Sequence, residues 1–157
     1  MTPSRQVPWR SAVLSMLIGM TLLMAGCTRD DDASAALKRK LEQAAGALKP
    51  GQTLSMADMN PGEWDSLFLF PPYTPNSAIR AALGGTLPLQ VEATRLEERD
   101  DIHLLVFTAQ QSTRLVAVIP RSSVDFAPGG AGNAIPRSAA RFRRADEPRT
   151  LLFWVRS

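Results

Sequence analysis

The 157-residue sequence contains one cysteine and one histidine, and this scarcity excludes two common kinds of site. Cys27 cannot form an intramolecular disulfide, and no metal site that needs two imidazoles can be built on His103 alone. The chain also lacks the G-x-S-x-G turn of serine hydrolases and the G-x-x-x-x-G-K-[ST] phosphate loop. We therefore predict a protein that is not an enzyme, with no catalytic residues, no metal and no cofactor.

Charge is absent from a long stretch near the N-terminus. Arg5 and Arg10 are followed by the uncharged, apolar residues 11–24. This length suits the apolar part of an export signal, roughly 7–15 residues, and is short of the roughly 20 residues that span a bilayer. Residues 1–26 are therefore predicted to be a cleaved signal peptide. The alternative, a transmembrane helix followed by a buried cysteine, is disfavoured by the shortness of the run.

The apolar run ends in Leu23-Met24-Ala25-Gly26-Cys27, which resembles the lipobox of bacterial lipoproteins. In that family, small residues before the cysteine let a signal peptidase reach the backbone, and the cysteine thiol carries a diacylglyceryl group. The resemblance implies that Cys27 is the lipidated first residue of the mature chain. Two or three acyl chains anchor a protein stably in the membrane, because each CH₂ buried in the bilayer contributes about 0.8 kcal/mol.

The residue after the cysteine predicts the destination of the protein. Lipoproteins with Asp at that position are retained at the inner membrane, whereas this chain has Thr28. The resemblance therefore implies the periplasmic face of the outer membrane, with the inner membrane as the alternative.

Export also changes the charge balance, which bears on the class of partner. The full chain has 18 basic and 15 acidic residues, but Arg5 and Arg10 leave with the signal. The exported part is therefore close to neutral, and the electrostatic argument for nucleic-acid binding disappears. We predict no nucleic-acid partner.

The exported part is predicted to be a polar tether, residues 27–33 with the lipidated cysteine, and a single domain over 34–157. Residues 34–49 are rich in alanine, with an apolar stripe at helical spacing formed by Leu37, Leu41, Ala44 and Leu48. The stripe is narrow and lacks aromatic residues, which favours a helix facing the core over an amphipathic helix on the membrane.

The rest of the domain is predicted to be mostly antiparallel sheet. Residues 63–70 alternate so that Trp64, Phe68 and Phe70 share one face and the intervening leucines the other, as in a strand covered on both sides. A short helix is predicted after Thr74-Pro75. Further strands are predicted at 87–93, 102–109, 113–119, 139–144 and 151–155. With one or two helices and five or six short strands, the fold class is α+β.

Residues 64–84, WDSLFLFPPYTPNSAIRAALG, resemble a signature of small envelope lipoproteins in which Trp-Asp precedes an apolar strand, then Pro-Tyr-Thr, then a helix that ends in Leu-Gly. No catalytic residue belongs to that signature, so the resemblance implies a non-enzymatic protein. Trp64 and Tyr73 are amphipathic side chains within it, and we predict that both contact a partner.

Two further groups of residues, His103 and the carboxylates near Trp64, could in principle form an enzyme site. His103 lies within a predicted strand, where a packed histidine is the favoured interpretation and a Ser-His-Asp triad lacks a nucleophile. Asp58, Glu63 and Asp65 flank Trp64, but solvated or capping carboxylates are favoured over a glycosidase pair. The glycine-rich residues 129–133 are predicted to be a connecting loop.

Arginines cluster near the C-terminus, and this is the main charge asymmetry of the exported part. In the predicted strand 139–144, Arg141 and Arg143 share a face, with Phe142 opposite and Arg144 adjacent. A solvated edge that discourages aggregation is one interpretation. The other is that Arg141, Arg143 and Arg144 dock an acidic partner, whether a lipid headgroup, an anionic glycan or a protein surface.

Together these observations predict a lipid-anchored periplasmic binding module that contacts the bilayer through Cys27 and a protein through its folded domain. An inhibitor or immunity protein against an exported effector or hydrolase is the leading interpretation. An envelope assembly or stress-related lipoprotein and a weak periplasmic hydrolase are the alternatives.

Overall fold

The computed structural model describes residues 28–127, 132–146 and 151–155. The predicted signal peptide, the lipobox with Cys27 and most of the glycine-rich loop lie outside these ranges. Within them the chain contains four α-helices and two four-stranded sheets, which confirms the predicted α+β fold class. None of the described helices is both long enough and apolar enough to cross a membrane.

The elements follow the chain in this order. The helices are α1 Thr28–Ala47, α2 Met56–Met59, α3 Asn76–Ala82 and α4 Leu89–Ala93, with single 3-10 turns at Leu96–Glu98 and Arg137–Ala139. The strands are β1 Thr53–Ser55, β2 Ser66–Phe70, β3 Ile102–Ala109, β4 Ser112–Pro120, β5 Asp125–Phe126, β6 Ile135–Pro136, β7 Arg141–Arg144 and β8 Leu151–Trp154. We call β4-β3-β2-β6 the central sheet and β1-β7-β8-β5 the outer sheet.

The central sheet is antiparallel and is built around the predicted hairpin of β3 and β4. Their register pairs Ala109 with Ser112, so only Gln110 and Gln111 form the loop. Both glutamines have positive φ, 51° and 62°. Two consecutive left-handed residues are what a two-residue hairpin of the favoured twist requires. The prediction of this hairpin is confirmed.

Strand β2 is covered on both sides, as its sequence predicts. Leu67 and Leu69 belong to one apolar cluster, which also contains α1 and the inner face of the outer sheet. Phe68 and Phe70 belong to a second cluster, which contains α3 and α4. The central sheet therefore lies between two apolar layers, and its strands are apolar on both faces.

The outer sheet has one face on the core and one in solvent. Phe142 of β7, Leu152 of β8 and Phe126 of β5 point into the first cluster. Strand β7 pairs antiparallel with both β1 and β8, whereas β5 pairs parallel with β8. Strands β1, β5 and β6 have only two or three residues. Such short strands show no alternation, so they were not among the predicted strands.

The predicted polar tether is instead the first part of a helix. Described from Thr28 onward, helix α1 includes residues 28–33, which span about 9 Å along the helix axis. Acidic side chains at Asp31 and Asp32 are exposed on it. These residues are therefore helical rather than extended, and their role as a tether stays a prediction.

The predicted strand at 87–93 is wrong, because Leu89–Ala93 form α4 and residues 87–88 belong to no strand. Pro88 precedes the helix in extended conformation, and proline suits a helix start because its missing N–H needs no partner there. Val91 is fully buried, whereas Leu89 points into solvent. The alternating leucines that predicted a strand therefore do not share a buried face.

Candidate functional site

The outer sheet presents two of the three clustered arginines on its solvent face. Phe142 is buried beneath β7, so the strand alternation directs Arg141 and Arg143 outward, and both are exposed. Within the described ranges, no ion pair or side-chain hydrogen bond involves either guanidinium. The two charges therefore remain available to an acidic molecule.

Arg144 lies on the other side of the strand and has a structural role. Its side chain is half-buried, and Nη1 donates a hydrogen bond to the carbonyl of Leu48, just beyond α1. Carbonyls at a helix C-terminus lack partners within the helix, and a cation there is favourable. The guanidinium of Arg144 therefore supports the end of α1, and its docking role stays a prediction.

Strand β8 places apolar side chains beside the exposed arginines. Phe153 is the cross-strand neighbour of Arg143, and its side chain is 40% exposed. Val155 donates its backbone N–H to the carbonyl of Arg141 at 2.9 Å, and it is also exposed. We call Arg141, Arg143, Phe153 and Val155 the outer face.

A cavity of about 370 Å³ adjoins the outer face at Phe153. The cavity is lined by Phe153 and by the segment Pro71-Pro72-Tyr73 between β2 and α3. The other lining residues are His103, Arg121, Asp125, Phe126 and Ala127. The exposed lining of the cavity is predominantly apolar. A cavity of this character accommodates an apolar group rather than an ion.

Tyr73 is held at the cavity in a backbone conformation that a tyrosine rarely adopts. Its φ is 61°, and its side chain is 61% exposed. Its backbone N–H lies 3.1 Å from the carbonyls of both Leu96 and Arg99, which fix the turn. Strained positions of this kind persist where surrounding contacts impose them, and they concentrate at binding sites. Tyr73 lines the same cavity as Phe153, which is the cross-strand neighbour of Arg143.

A buried polar group underlies the cavity. His103 is 2% exposed, and its Nε2 lies 2.7 Å from Oδ1 of Asp125. Arg121 donates to both oxygens of the same carboxylate, at 3.0 Å to Oδ1 and 3.1 Å to Oδ2. Arg121 also donates to the carbonyl of Asp100 at 3.0 Å. Arg121 and Asp125 therefore neutralise each other, and the cavity carries little net charge.

The two titrating partners respond to this environment in different ways. Burial lowers the pKa of His103, and the hydrogen bond to Asp125 only partly opposes this effect. Burial by itself would raise the pKa of Asp125, but the hydrogen bonds from Arg121 and His103 together lower it. At neutral pH the histidine is therefore neutral and the carboxylate ionised.

Neither nitrogen of His103 is presented to a molecule in the cavity. Nε2 faces both the Asp125 carboxylate and the backbone N–H of Phe126, at 3.1 Å, and Nδ1 is buried without a partner. An ionised carboxylate only accepts and a backbone N–H only donates, so the two contacts of Nε2 require different tautomers of the ring. In either tautomer, Nδ1 is buried without a partner among the described residues. This geometry supports a packing role for His103 over proton transfer to a substrate.

We expect acid to destabilise the fold through His103. Because its pKa in the folded state lies below the ordinary 6.5, the unfolded chain takes up the proton first as the pH falls. The His103 contribution to stability is complete above pH 6.5 and decreases below it, by at most about 1.4 kcal/mol per pH unit for one group. Urea unfolding at about pH 7.5 and about pH 5 measures this change.

The variant His103→Gln is the control for this measurement, because it keeps a polar side chain that does not titrate. In His103→Gln, the free energy of unfolding should decrease less between the two pH values than it does in the wild type. Equal decreases in the wild type and in His103→Gln would contradict the assignment.

Trp64 does not belong to this site. It is 5% exposed and packs edge-on against Phe107, with ring centroids 5.0 Å apart. Its Nε1 donates to the carbonyl of Asn60 at 2.8 Å, and the Arg137 guanidinium covers its ring at 4.9 Å. The predicted contact between Trp64 and a partner is therefore corrected. Because β2 starts only at Ser66, Trp64 does not continue its alternation and lies in the first cluster.

The carboxylates near Trp64 are also separate from the cavity. Asp65 accepts the backbone N–H of Gln110 at 2.8 Å and so supports the hairpin loop. Across the part of the chain that the structure describes, no group of three or more His, Cys, Asp or Glu side chains could hold a metal ion. Asp65 thus has the capping role that its sequence context favours.

Sequence reasoning did not identify Arg121, Asp125 or Phe153 as site residues. Asp125 and Phe153 lie on separate strands that only the parallel pairing of β5 with β8 brings together. No local spacing or periodicity indicates that pairing. Comparison with protein-family models, curated proteins and solved structures finds no match to this chain.

Proposed function

We propose that this protein is a lipid-anchored module on the periplasmic face of the outer membrane that binds and inhibits an exported effector or hydrolase without catalysing a reaction itself. The lipobox ending in Cys27 supports the anchor. Helix α1 includes Thr28, so a helix would connect the anchor to the folded domain.

The observation that carries the binding role is the combination of the outer face with the adjoining cavity. Phe153, Val155 and Tyr73 are three of the four large apolar or aromatic side chains that are exposed in the described parts of the chain. Arg143 is the cross-strand neighbour of Phe153, and the carbonyl of Arg141 accepts the backbone N–H of Val155. Arginine and aromatic residues are enriched in protein interfaces, and aromatic anchors next to pockets dominate their affinity.

The same features define the chemistry of the partner. The free charges of Arg141 and Arg143 favour an acidic surface. The nearly neutral, apolar cavity beside Phe153 and Tyr73 favours one protruding apolar or aromatic side chain. The partner is therefore a protein with an apolar residue surrounded by carboxylates, a chemistry that a glycan or a phospholipid headgroup does not supply.

The variant Phe153→Ala tests this proposal. The assay measures the affinity of the purified protein for exported hydrolases and toxins encoded beside its gene, by titration calorimetry. The wild type should form a one-to-one complex. Removing an aromatic anchor should weaken binding by about 2 kcal/mol, or roughly 30-fold in Kd. A matched control is Arg80→Ala, an exposed position on α3 on the opposite side of the central sheet, which should leave the Kd unchanged.

A second variant separates the charge contribution from the apolar one. Charge reversal of both Arg141 and Arg143 to Glu should weaken binding at low salt, and the difference from the wild type should shrink as salt rises. Equal losses for Phe153→Ala and Arg80→Ala, or no effect of charge reversal at any salt concentration, would reject the outer face as the docking surface.

The alternative functions predict different results. An envelope-maintenance protein predicts a deletion strain that is sensitive to detergent in the absence of any cognate toxin. A hydrolase predicts enzymatic activity that is lost in His103→Ala or Asp65→Ala while the fold is retained. Either result without a one-to-one complex would replace the inhibitor proposal.

A further inference from the structure

Leu89 is the most exposed of the large apolar side chains in the described chain, at 79%. It is the first residue of α4, directly after Pro88. The other side of this short helix is packed, because Val91 is fully buried in the second cluster. Burial of a leucine side chain is favourable, and the fold leaves this contribution unused at Leu89.

The location of Leu89 relative to α1 indicates what covers it. Its neighbours Pro88 and Gln90 line a groove of about 410 Å³ together with Asp31 and Ser34 of α1. Asp31 lies three residues after the start of α1, about 5 Å along the helix axis. The rim of this groove is therefore at the end of the molecule where position 27 leads into the fold.

Residues 28–33 are helical, so they span about 9 Å instead of the roughly 20 Å that an extended tether would reach. If Cys27 carries acyl chains, the lipid surface lies within a few residues of Asp31. An exposed apolar side chain this close to the bilayer can be buried at the boundary between headgroups and acyl chains. Leu89 is at the right end of the molecule to do so.

We propose that Leu89 and α4 form a second membrane contact, in which the leucine side chain inserts into the bilayer that holds the anchor. This inference rests on the lipid anchoring proposed above. Charges of both signs lie at this end, because Asp31 and Arg114 line the groove and Glu92 is exposed on α4, so anionic lipid gains no specific attraction. Insertion is therefore driven by apolar burial and should occur in zwitterionic vesicles.

Insertion of Leu89 into the bilayer would orient the domain on the membrane. Helix α1 has 20 residues and is about 30 Å long. Arg144 of β7 binds at its far end, through the carbonyl of Leu48. With Leu89 in the lipid at one end of α1, β7 and its exposed arginines lie toward the other end, away from the bilayer and open to a partner.

Site-specific labelling of the full-length, acylated protein tests this contact. The mature wild type has no free thiol once Cys27 is acylated, so Leu89→Cys introduces a single site for an environment-sensitive fluorophore. The matched control is Lys49→Cys, exposed just beyond the far end of α1. Both labelled proteins are reconstituted in phosphatidylcholine vesicles, with and without lipids that carry a quencher in the acyl chain.

We expect the label at position 89 to emit at shorter wavelength in vesicles and to be quenched by the modified lipid, while the label at 49 is unaffected. Vesicle flotation of the same samples tests the anchor separately. If both proteins float and position 89 is not quenched, the Leu89 contact is wrong and the anchor stands. If neither protein floats, the anchoring proposal fails first. A blue shift at 89 without lipid quenching would mean that protein covers Leu89, and would also overturn the proposal.

Discussion

Replacing Cys27 by serine is expected to abolish acylation and leave the full-length precursor uncut. The lipobox peptidase acts on a chain whose cysteine sulfur already carries diacylglycerol, and a serine hydroxyl in place of the thiol does not receive it. The protein would then lack the acyl chains that contribute about 0.8 kcal/mol for each buried CH₂. Metabolic labelling with a clickable palmitate, followed by intact mass measurement, reads out both steps at once.

The variant Thr28→Ser is the matched control, since it changes the adjacent residue and keeps the thiol. It should be labelled and cleaved before residue 27 like the wild type. A labelled, cleaved Cys27→Ser protein, or a wild type with the mass of the uncut chain, would refute the anchor and with it the proposed location.

Replacing Trp64 by alanine is expected to lower the free energy of unfolding by about 3–5 kcal/mol, the usual range for a large aromatic side chain in a core. The ring is buried against Phe107, and its Nε1 hydrogen bond to Asn60 is lost with it. The carbonyls that Arg137 reaches beside the ring, those of Gly62 and Trp64, belong to the same segment and would lose part of their support. Urea denaturation monitored by circular dichroism measures the change.

Trp64→Phe separates packing from hydrogen bonding at this position. It keeps an aromatic ring and removes the N–H donor, so it should retain more of the stability than alanine does. Because Trp64 lies in the core, the phenylalanine variant should bind any partner with the affinity of the wild type. A large loss of binding in Trp64→Phe, with its stability unchanged, would restore Trp64 as a contact residue.

Local sequence patterns predicted those parts of the fold that depend on neighbouring residues alone. Alternation in β2 indicated a strand covered on both faces, and the apolar runs on either side of Gln110 indicated the hairpin. The pattern was misleading at 87–93, where Leu87, Leu89 and Val91 alternate as in a strand. There, Pro88 and the packing of Val91 against the second cluster determine a helix. Tertiary burial outweighs an alternation of only three residues.

The candidate site was predicted only in part, because tertiary packing decides which of the clustered arginines stay exposed. The alternation of β7 already placed Arg141 and Arg143 on one face, and the structure keeps them together and exposed. Arg144 follows directly in sequence but points to the opposite side, where it meets the end of α1. A charge cluster in sequence therefore became one exposed pair and one structural residue.

The α+β class, the two-sided β2 strand, the β3–β4 hairpin and the orientation of Arg141 and Arg143 could be predicted from sequence, because each follows from the periodicity of adjacent residues. The lipidation of Cys27 stays a prediction. The position of β8 between β7 and β5, and the cavity that Tyr73 and Phe153 line together with His103 and Asp125, depend on the tertiary structure. Periodicity specifies which side of an element is buried, whereas the identity of the neighbouring element depends on how the whole chain packs its apolar surfaces.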